Sequence, residues 1–255
     1  MISNNNNNNN NENPLVSLFF NILIPVIILK NGDSWIGKIL NHLNENDWIY
    51  RSMKNVNVTS FIFLIALVFP VTYFIYDFIK RKNINLISIL GFVNILLTGG
   101  IGVFGGKYGL SKNWFILKEG MMPTLIGSVL IIFRKYKQQS FNSFLLNDII
   151  FDNDKIKNFI SKENKTRYDE IVKMAGHHLI AGFFISSIIQ FILASLIVVS
   201  NPGEPSFNQE VSTMTWVSYI AVLVPTMLIV GRGYFLLISG IEKISGLNKE
   251  DFLKS

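Results

Sequence analysis

The chain has 255 residues, of which 49% are hydrophobic and 16% are charged, and its formal net charge at pH 7 is +6. It contains no cysteine, which excludes disulfides, thiolate metal sites and cysteine nucleophiles. The basic excess indicates cytoplasmic loops rather than nucleic-acid binding, because no aromatic and basic recognition motif accompanies it.

The first 13 residues form a tail dominated by a run of asparagine, Asn4–Asn10, which has no apolar side chain to bury. This composition predicts a disordered segment. The first apolar block is a poor secretory signal, because no basic region precedes it and no small-residue cleavage site follows it. Residues 14–255 are predicted to form one transmembrane domain.

Apolar residues then fall in six blocks, most of them within the roughly 17–25 residues that a helix needs to cross a bilayer. The blocks are Leu15–Leu29, Val58–Ile79, Ile84–Phe104, Trp114–Phe133, His177–Ser200 and Thr215–Ile238. Because charged loops separate them, the sequence predicts an all-α, polytopic bundle of about six transmembrane helices. The first block is short and contains Asn21 and Pro25, so a re-entrant or tilted segment is the alternative there.

Lys and Arg are distributed unevenly between the two sides of these blocks. The side that holds the tail, the loop after the fourth block and the C-terminus carries 15 of them, and the other side carries 6. Cytoplasmic loops are enriched in Lys and Arg, so both termini are predicted to be cytoplasmic. The segment Asn201–Thr213 contains two glutamates and no basic residue, which fits the outer side.

The longest polar stretch, residues 134–176, is basic and amphipathic. Its apolar residues recur at helical spacing from Phe141 to Leu145, and Asn153 or Asp154 is expected to cap a second short helix. Two interpretations are equally favoured. The stretch either lies on the anionic lipids of the inner leaflet or packs as a structured loop under the bundle.

Seven short strings occur in a fixed order along the chain. They are Asn21–Pro25, Tyr76–Lys82, Ile87–Gly91, Thr98–Gly102, Trp114–Glu119, Pro123–Gly127 and Phe207–Glu210. The series resembles an uncharacterised bacterial inner-membrane family related to intracellular septation protein A. The resemblance covers residues 14–255, from which the long loop around Gly32–Asn57 departs. It implies a bacterial inner-membrane protein linked to envelope maintenance or septation, with division or envelope proteins as partners, and it supplies no catalytic residues. Together with the lack of a catalytic constellation and the basic cytoplasmic loop, it predicts a non-enzymatic role as a scaffold or partner.

Every block has one face of small or polar residues at helical spacing. The glycines expected to bring helices together are Gly102, Gly106, Gly127 and Gly182, and the polar members include Asn21, Asn94, His178 and Gln190. Helix packing is the favoured interpretation of these faces. The alternative is a polar path of a small-solute or proton-coupled transporter, because four of the six blocks contain proline.

Charged residues within the blocks are the other functional candidates, since charge in a membrane is costly. Glu119 is the best of these candidates and is expected about 7 Å below the outer end of its block. Asp77 is expected to pair with Arg232. Lys118 is expected to extend outward to the interface. No residue set forms a catalytic constellation, and no cofactor is implied.

The adjacent histidines His177 and His178 are predicted not to form a metal site. Neighbouring residues of a helix point about 100° apart, whereas chelation by one helix needs residues four apart. No metal site is predicted.

Overall fold

The computed structural model describes residues 19–43, 47–54, 56–81, 86–147 and 150–254. Within these ranges, the side chains of 49, 54, 81, 86–91 and 140 are not described. The predicted disordered tail 1–13, the start of the first block and the start of the third block lie outside the described residues.

The described chain is helical, and its β-structure is one isolated bridge between Phe151 and Leu253. A π-helical turn, Phe19–Leu23, leads into α1. The helices are α1 (Ile24–His42), α2 (Trp48–Lys54), α3 (Val58–Arg81), α4 (Leu86–Tyr108), α5 (Lys112–Tyr136), α6 (Gln138–Leu145), α7 (Asn153–Phe159), α8 (Lys165–Ile197), α9 (Phe207–Ser245) and α10 (Lys249–Phe252). The prediction of an all-α chain is confirmed.

Five helical segments in the described part of the chain are long and apolar enough to cross a membrane. They are Phe19–His42, Val58–Lys80, Lys112–Tyr136, Lys165–Ile197 and Phe207–Ser245. Such a set indicates contact with a lipid bilayer and a multi-pass membrane protein. Helix α4 is also 23 residues long, but its side chains are described only from Phe92 onward.

The helices extend beyond several of the predicted apolar blocks. Helix α1 continues 13 residues past Leu29, to His42. Helix α8 has 33 residues and α9 has 39. At 1.5 Å per residue, α9 is about 58 Å long, roughly twice the thickness of a bilayer core. Helices α8 and α9 are therefore longer than a bilayer core, because turns with polar residues extend their apolar blocks.

The chain divides into two compact units. The first unit contains the described residues up to Lys118 together with Ala194–Trp216, and the second contains Glu119–Leu193 and Val217–Ser255. Helices α5, α8 and α9 each contribute one part to each unit.

In the first unit, α1 runs antiparallel to α3. The ring of Phe20 stacks on Tyr73 at 6.1 Å between centroids, and Gly32 lies against Ile62 at the other end of the contact. Phe207, at the start of α9, packs its ring against both Phe63 and Phe115. These aromatic rings form the centre of the first unit's core.

The second unit has a core built largely by the segment 134–176 and the C-terminus. Phe141 of α6, Phe151, Ile156 of α7 and Phe252 of α10 are all buried in it. Phe141, Phe151 and Ile156 of this segment therefore pack into protein, as the structured-loop interpretation expects, whereas Phe159 is exposed. The lysine residues of the segment are exposed, and its contact with anionic lipids stays a prediction.

The cap of α7 differs from the prediction. Asp152 is the N-cap, and its side chain accepts a hydrogen bond from the backbone N–H of Lys155 at 3.1 Å. Asn153 instead donates its side-chain amide to the carbonyl of Leu146 at 2.7 Å. Asp, Asn and Ser are all good caps, so composition alone does not resolve a shift of one residue.

Candidate functional site

Lys118 is the one charged side chain that is buried within the described part of the chain, with 6% of its surface exposed. Its ammonium donates hydrogen bonds to Asn94 Oδ1 at 3.2 Å and to Thr98 Oγ1 at 2.7 Å. It also lies 5.1 Å from the ring centroid of Phe115. The expectation that Lys118 extends outward to the interface is therefore wrong.

Lys118, Asn94 and Thr98 all lie several residues away from the ends of their helices. Only a short turn, which includes Gly109 at φ +65°, separates α4 from α5, so depth can be counted from the end they share. Lys118 lies six residues from that end, at about 9 Å, and Thr98 lies ten residues from it, at about 15 Å. The lysine side chain therefore reaches away from the interface, towards the middle of α4.

The helical spacing explains why one ammonium meets two acceptors. Asn94 and Thr98 are four residues apart, so they share a face of α4. Thr98 also donates its hydroxyl hydrogen to the Asn94 carbonyl at 2.8 Å, which orients its oxygen towards the lysine. An ammonium in an apolar environment needs such partners, because an unsatisfied buried charge costs several kcal/mol. We name Lys118, Asn94 and Thr98 the lysine cluster.

Removing an acceptor from the lysine cluster is expected to destabilise the protein. Asn94→Leu leaves the ammonium without one of its charged hydrogen bonds, which contribute about 1.5–3 kcal/mol each. In the Lys118→Met background the same substitution should cost much less, because no buried charge remains to be satisfied. Melting temperatures of the two single variants and the double variant in detergent measure this coupling. Purely additive effects would contradict the cluster.

The other predicted polar candidates are dispersed. Asn21 lies half-buried in the π-helical turn, and Asp77 lies half-buried near the end of α3. Gln190 is half-buried in α8, and Arg232 is exposed on α9. Asp77 belongs to the first unit and Arg232 to the second, so their pairing stays a prediction.

Glu119 and His178 both lie in the second unit and are half-buried. The His178 ring has Nδ1 2.9 Å from the carbonyl oxygen of Met174, one turn earlier. Its Cβ also lies against Gly233 of α9. Among the described residues, no group of three or more His, Asp or Glu side chains is placed to hold a metal ion.

The predicted packing glycines lie at close helix contacts. A Cβ on Gly102 would fall 2.6 Å from the ring of Phe63, and one on Gly106 would fall 2.9 Å from the Cα of Gly203. Both contacts are in the first unit. No side chain larger than hydrogen fits at Gly106 without moving backbone.

The second unit has similar close contacts between helices at its glycines. A Cβ on Gly182 would fall 2.6 Å from Val230, and one on Gly127 would fall 3.2 Å from Phe184. Beside them, the hydroxyl of Ser186 lies 2.8 Å from that of Thr226. Small residues that permit close approach and hydroxyls that bond across the interface are typical of membrane helix packing.

The connection between α8 and α9 is held by hydrogen bonds of polar residues whose contacts the sequence did not predict. The Glu210 carboxylate accepts hydrogen bonds from the backbone of Val199 and from both the backbone and hydroxyl of Ser200. Asn208 donates to the carbonyl of Thr59 at 2.9 Å, and Ser212 donates to that of Val26 at 3.1 Å. The four-residue spacing of Asn208 and Ser212 was the available signal that both face the bundle.

The pH dependence of this connection is predicted from Glu204. Hydrogen bonds from the side chain and backbone of Asn201 lower the pKa of the Glu204 carboxyl below its ordinary value of 4.5, and Lys112 adds to the effect. A lowered pKa in the folded state stabilises the fold above the unfolded-state pKa, and this is lost as pH falls through the folded-state pKa. Melting curves between pH 3 and 6 should therefore show a smaller acid-induced loss for Glu204→Gln than for wild type. An identical pH dependence in both would contradict this assignment.

Comparison of the chain with models of protein families, with curated proteins and with solved structures finds no match. The resemblance to the septation-related family therefore stays a prediction. What the described geometry itself establishes is a helical protein with apolar, membrane-length helices, a buried lysine cluster and two close-packed units.

Proposed function

We propose that the chain is a six-span protein of the bacterial inner membrane with a non-enzymatic role in cell-envelope maintenance or septation, acting as a scaffold or partner. The observation that carries this proposal is the filling of the small and polar helix faces. Gly102 lies against Phe63, and Gly182 lies against Val230. Faces packed in this way serve to hold helices together rather than to pass a solute.

The count of six spans is supported by the loops of the first unit. Asn57, which precedes α3, donates to the carbonyl of Gly203 at 3.2 Å, and Gly106 near the end of α4 lies against the same glycine. The start of α3 and the end of α4 are thus on one side. If α3 crosses the membrane, α4 crosses back, which adds α4 to the five candidate spans.

The predicted position of the C-terminus is supported by contacts in the second unit. The backbone N–H of Asp152 donates to the carbonyl of Phe252 at 2.8 Å, and that of Lys254 donates to the carbonyl of Ile150 at 2.9 Å. The C-terminus and the segment 134–176 therefore lie on one side of the membrane. Both are rich in lysine, which supports a cytoplasmic location for that side.

A second candidate function is a small-solute or proton-coupled transporter, and the lysine cluster is the observation that favours it. Charged side chains at membrane depth are rare and commonly mark substrate or proton pathways. In this proposal Lys118 joins Glu119, Asp77 and Arg232 as a residue of the path.

A complementation experiment distinguishes the two candidates. A strain that lacks the chain should show altered division, shape or envelope sensitivity, and the scaffold proposal predicts that Lys118→Met restores it as well as wild type does. The transporter proposal predicts that Lys118→Met fails at normal membrane abundance, whereas the exposed control Lys107→Met succeeds. A deletion strain with normal division, shape and envelope sensitivity would count against the scaffold proposal.

A further inference from the structure

A cavity of about 440 Å³ opens in the second unit where α5 meets α6 and the start of α8. Its charged residues are two cations, Arg134 and Lys173, and two carboxylates, Asp169 and Glu170. Gln138 and Asn142 add neutral polar groups. The cavity is therefore zwitterionic, with equal numbers of positive and negative side chains.

Arg134 is the incompletely satisfied group in this cavity. Its Nη1 atom is buried and has no hydrogen-bond partner among the described residues. Within that part of the chain, none of the four charged side chains forms an ion pair. A buried guanidinium nitrogen without an acceptor is costly, so the cavity favours a ligand that brings an anionic oxygen to Arg134.

The cavity lies where apolar helix surface ends. Arg134 directly follows the block Trp114–Phe133, and Ile131 and Ile132 just before it are exposed. Lys173 lies four residues before the block His177–Ser200. A ligand at this depth would have its polar part in the cavity and an apolar part along the exposed isoleucines, as a membrane lipid does.

We propose that this cavity binds the headgroup of an aminophospholipid, with the phosphate on Arg134 and Lys173 and the primary ammonium on Asp169 and Glu170. The two carboxylates decide the headgroup class. A primary ammonium offers three hydrogen-bond donors to them, whereas a choline group offers none. A glycerol headgroup has an anionic phosphate but no ammonium, so it would add negative charge near the two carboxylates without a cation for them to bind. The inference rests on the proposed membrane placement and not on the role in septation.

The test uses the full chain, purified in detergent and titrated with phosphatidylethanolamine, phosphatidylcholine and phosphatidylglycerol of identical acyl chains. Native mass spectrometry measures the bound fraction of each lipid. We expect phosphatidylethanolamine to bind about ten-fold more tightly than the other two, the effect of one charge-assisted hydrogen bond. Arg134→Gln and Lys173→Gln should each weaken its binding by about the same factor.

Matched variants separate this site from general lipid attraction. Asp169→Asn with Glu170→Gln should abolish the preference for ethanolamine over choline while binding of the phosphate persists. Lys162→Gln, an exposed change in the same basic segment outside the cavity, should leave binding unchanged. Because Lys173 is exposed, its variant is expected to fold even where the Arg134 variant does not.

Three results would overturn the proposal. Equal affinity for all three lipids would remove the headgroup selectivity, and wild-type affinity in folded Lys173→Gln would remove the site. Soluble phosphoethanolamine that binds as tightly as the lipid would identify a free phosphate ester as the ligand. None of these readouts depends on a division phenotype, so they are independent of the proposed role in the envelope.

Discussion

Phe252→Ala is expected to lower the free energy of unfolding of the second unit by about 3–5 kcal/mol, the usual cost of removing a buried phenylalanine ring. The Phe252 side chain is completely buried in the core that α6, α7 and the ends of α8 and α9 build. Its backbone carbonyl also accepts a hydrogen bond from Asp152, so loss of the ring loosens the connection to the C-terminus. Thermal melting in detergent measures the effect.

The matched control for this prediction is Phe159→Ala. Phe159 ends α7 in the same segment, but 55% of its surface is exposed, so its removal should change stability by about 0.5 kcal/mol or less. Deletion of residues 249–255 should reproduce the Phe252→Ala effect or exceed it, because it also removes the backbone pairing. Equal melting temperatures for Phe252→Ala and Phe159→Ala would contradict a role of the buried Phe252 ring in the core of the second unit.

Gly203→Ala is expected to destabilise the first unit by about 3 kcal/mol or more, from two sources that add. Gly203 has φ +91°, a conformation that side-chain-bearing residues rarely adopt. A Cβ there would also fall 2.7 Å from the Cα of Gly106, and backbone atoms cannot move aside as a flexible side chain can. The substitution should separate the α8–α9 connection from the end of α4.

Gly109→Ala separates the two sources of strain. Gly109 also has positive φ, at +65°, but a Cβ there would meet no atom within 4 Å. Its substitution should therefore cost only the conformational strain, about 1–2 kcal/mol. If both variants melt at the same temperature, the close approach of Gly106 and Gly203 contributes nothing to stability.

The positions of the long helices could be predicted from the sequence, because continuous apolar blocks require a helix wherever backbone groups enter a membrane. The residues at which these helices begin and end could not be predicted. Asn31 and Gly32 have the composition of a turn, yet α1 continues through them because Gly32 packs against Ile62 and Asn31 bonds to the carbonyl of Ile27. Tertiary contact overrides local propensity at this point.

The lysine cluster could be predicted only in part. Asn94 was identified from its place on a polar face of α4, but Lys118 was expected to reach water, because a long side chain near a helix end usually does. The direction it takes depends on acceptors in another helix, Asn94 and Thr98, and one sequence does not show which helices are neighbours. The hydrogen bonds that Glu210 accepts were not predicted, for the same reason.

The most direct test of this account is the labelling of single cysteines, which the cysteine-free chain permits without prior substitutions. A membrane-impermeant thiol reagent added to intact cells should label Asn113→Cys and Glu204→Cys. It should label Lys80→Cys and Lys162→Cys only after permeabilisation, and it should not label the buried Ser212→Cys in the native protein. Labelling of Lys80→Cys or Lys162→Cys in intact cells would contradict the six-span orientation, and labelling of Ser212→Cys would contradict the close packing of the first unit.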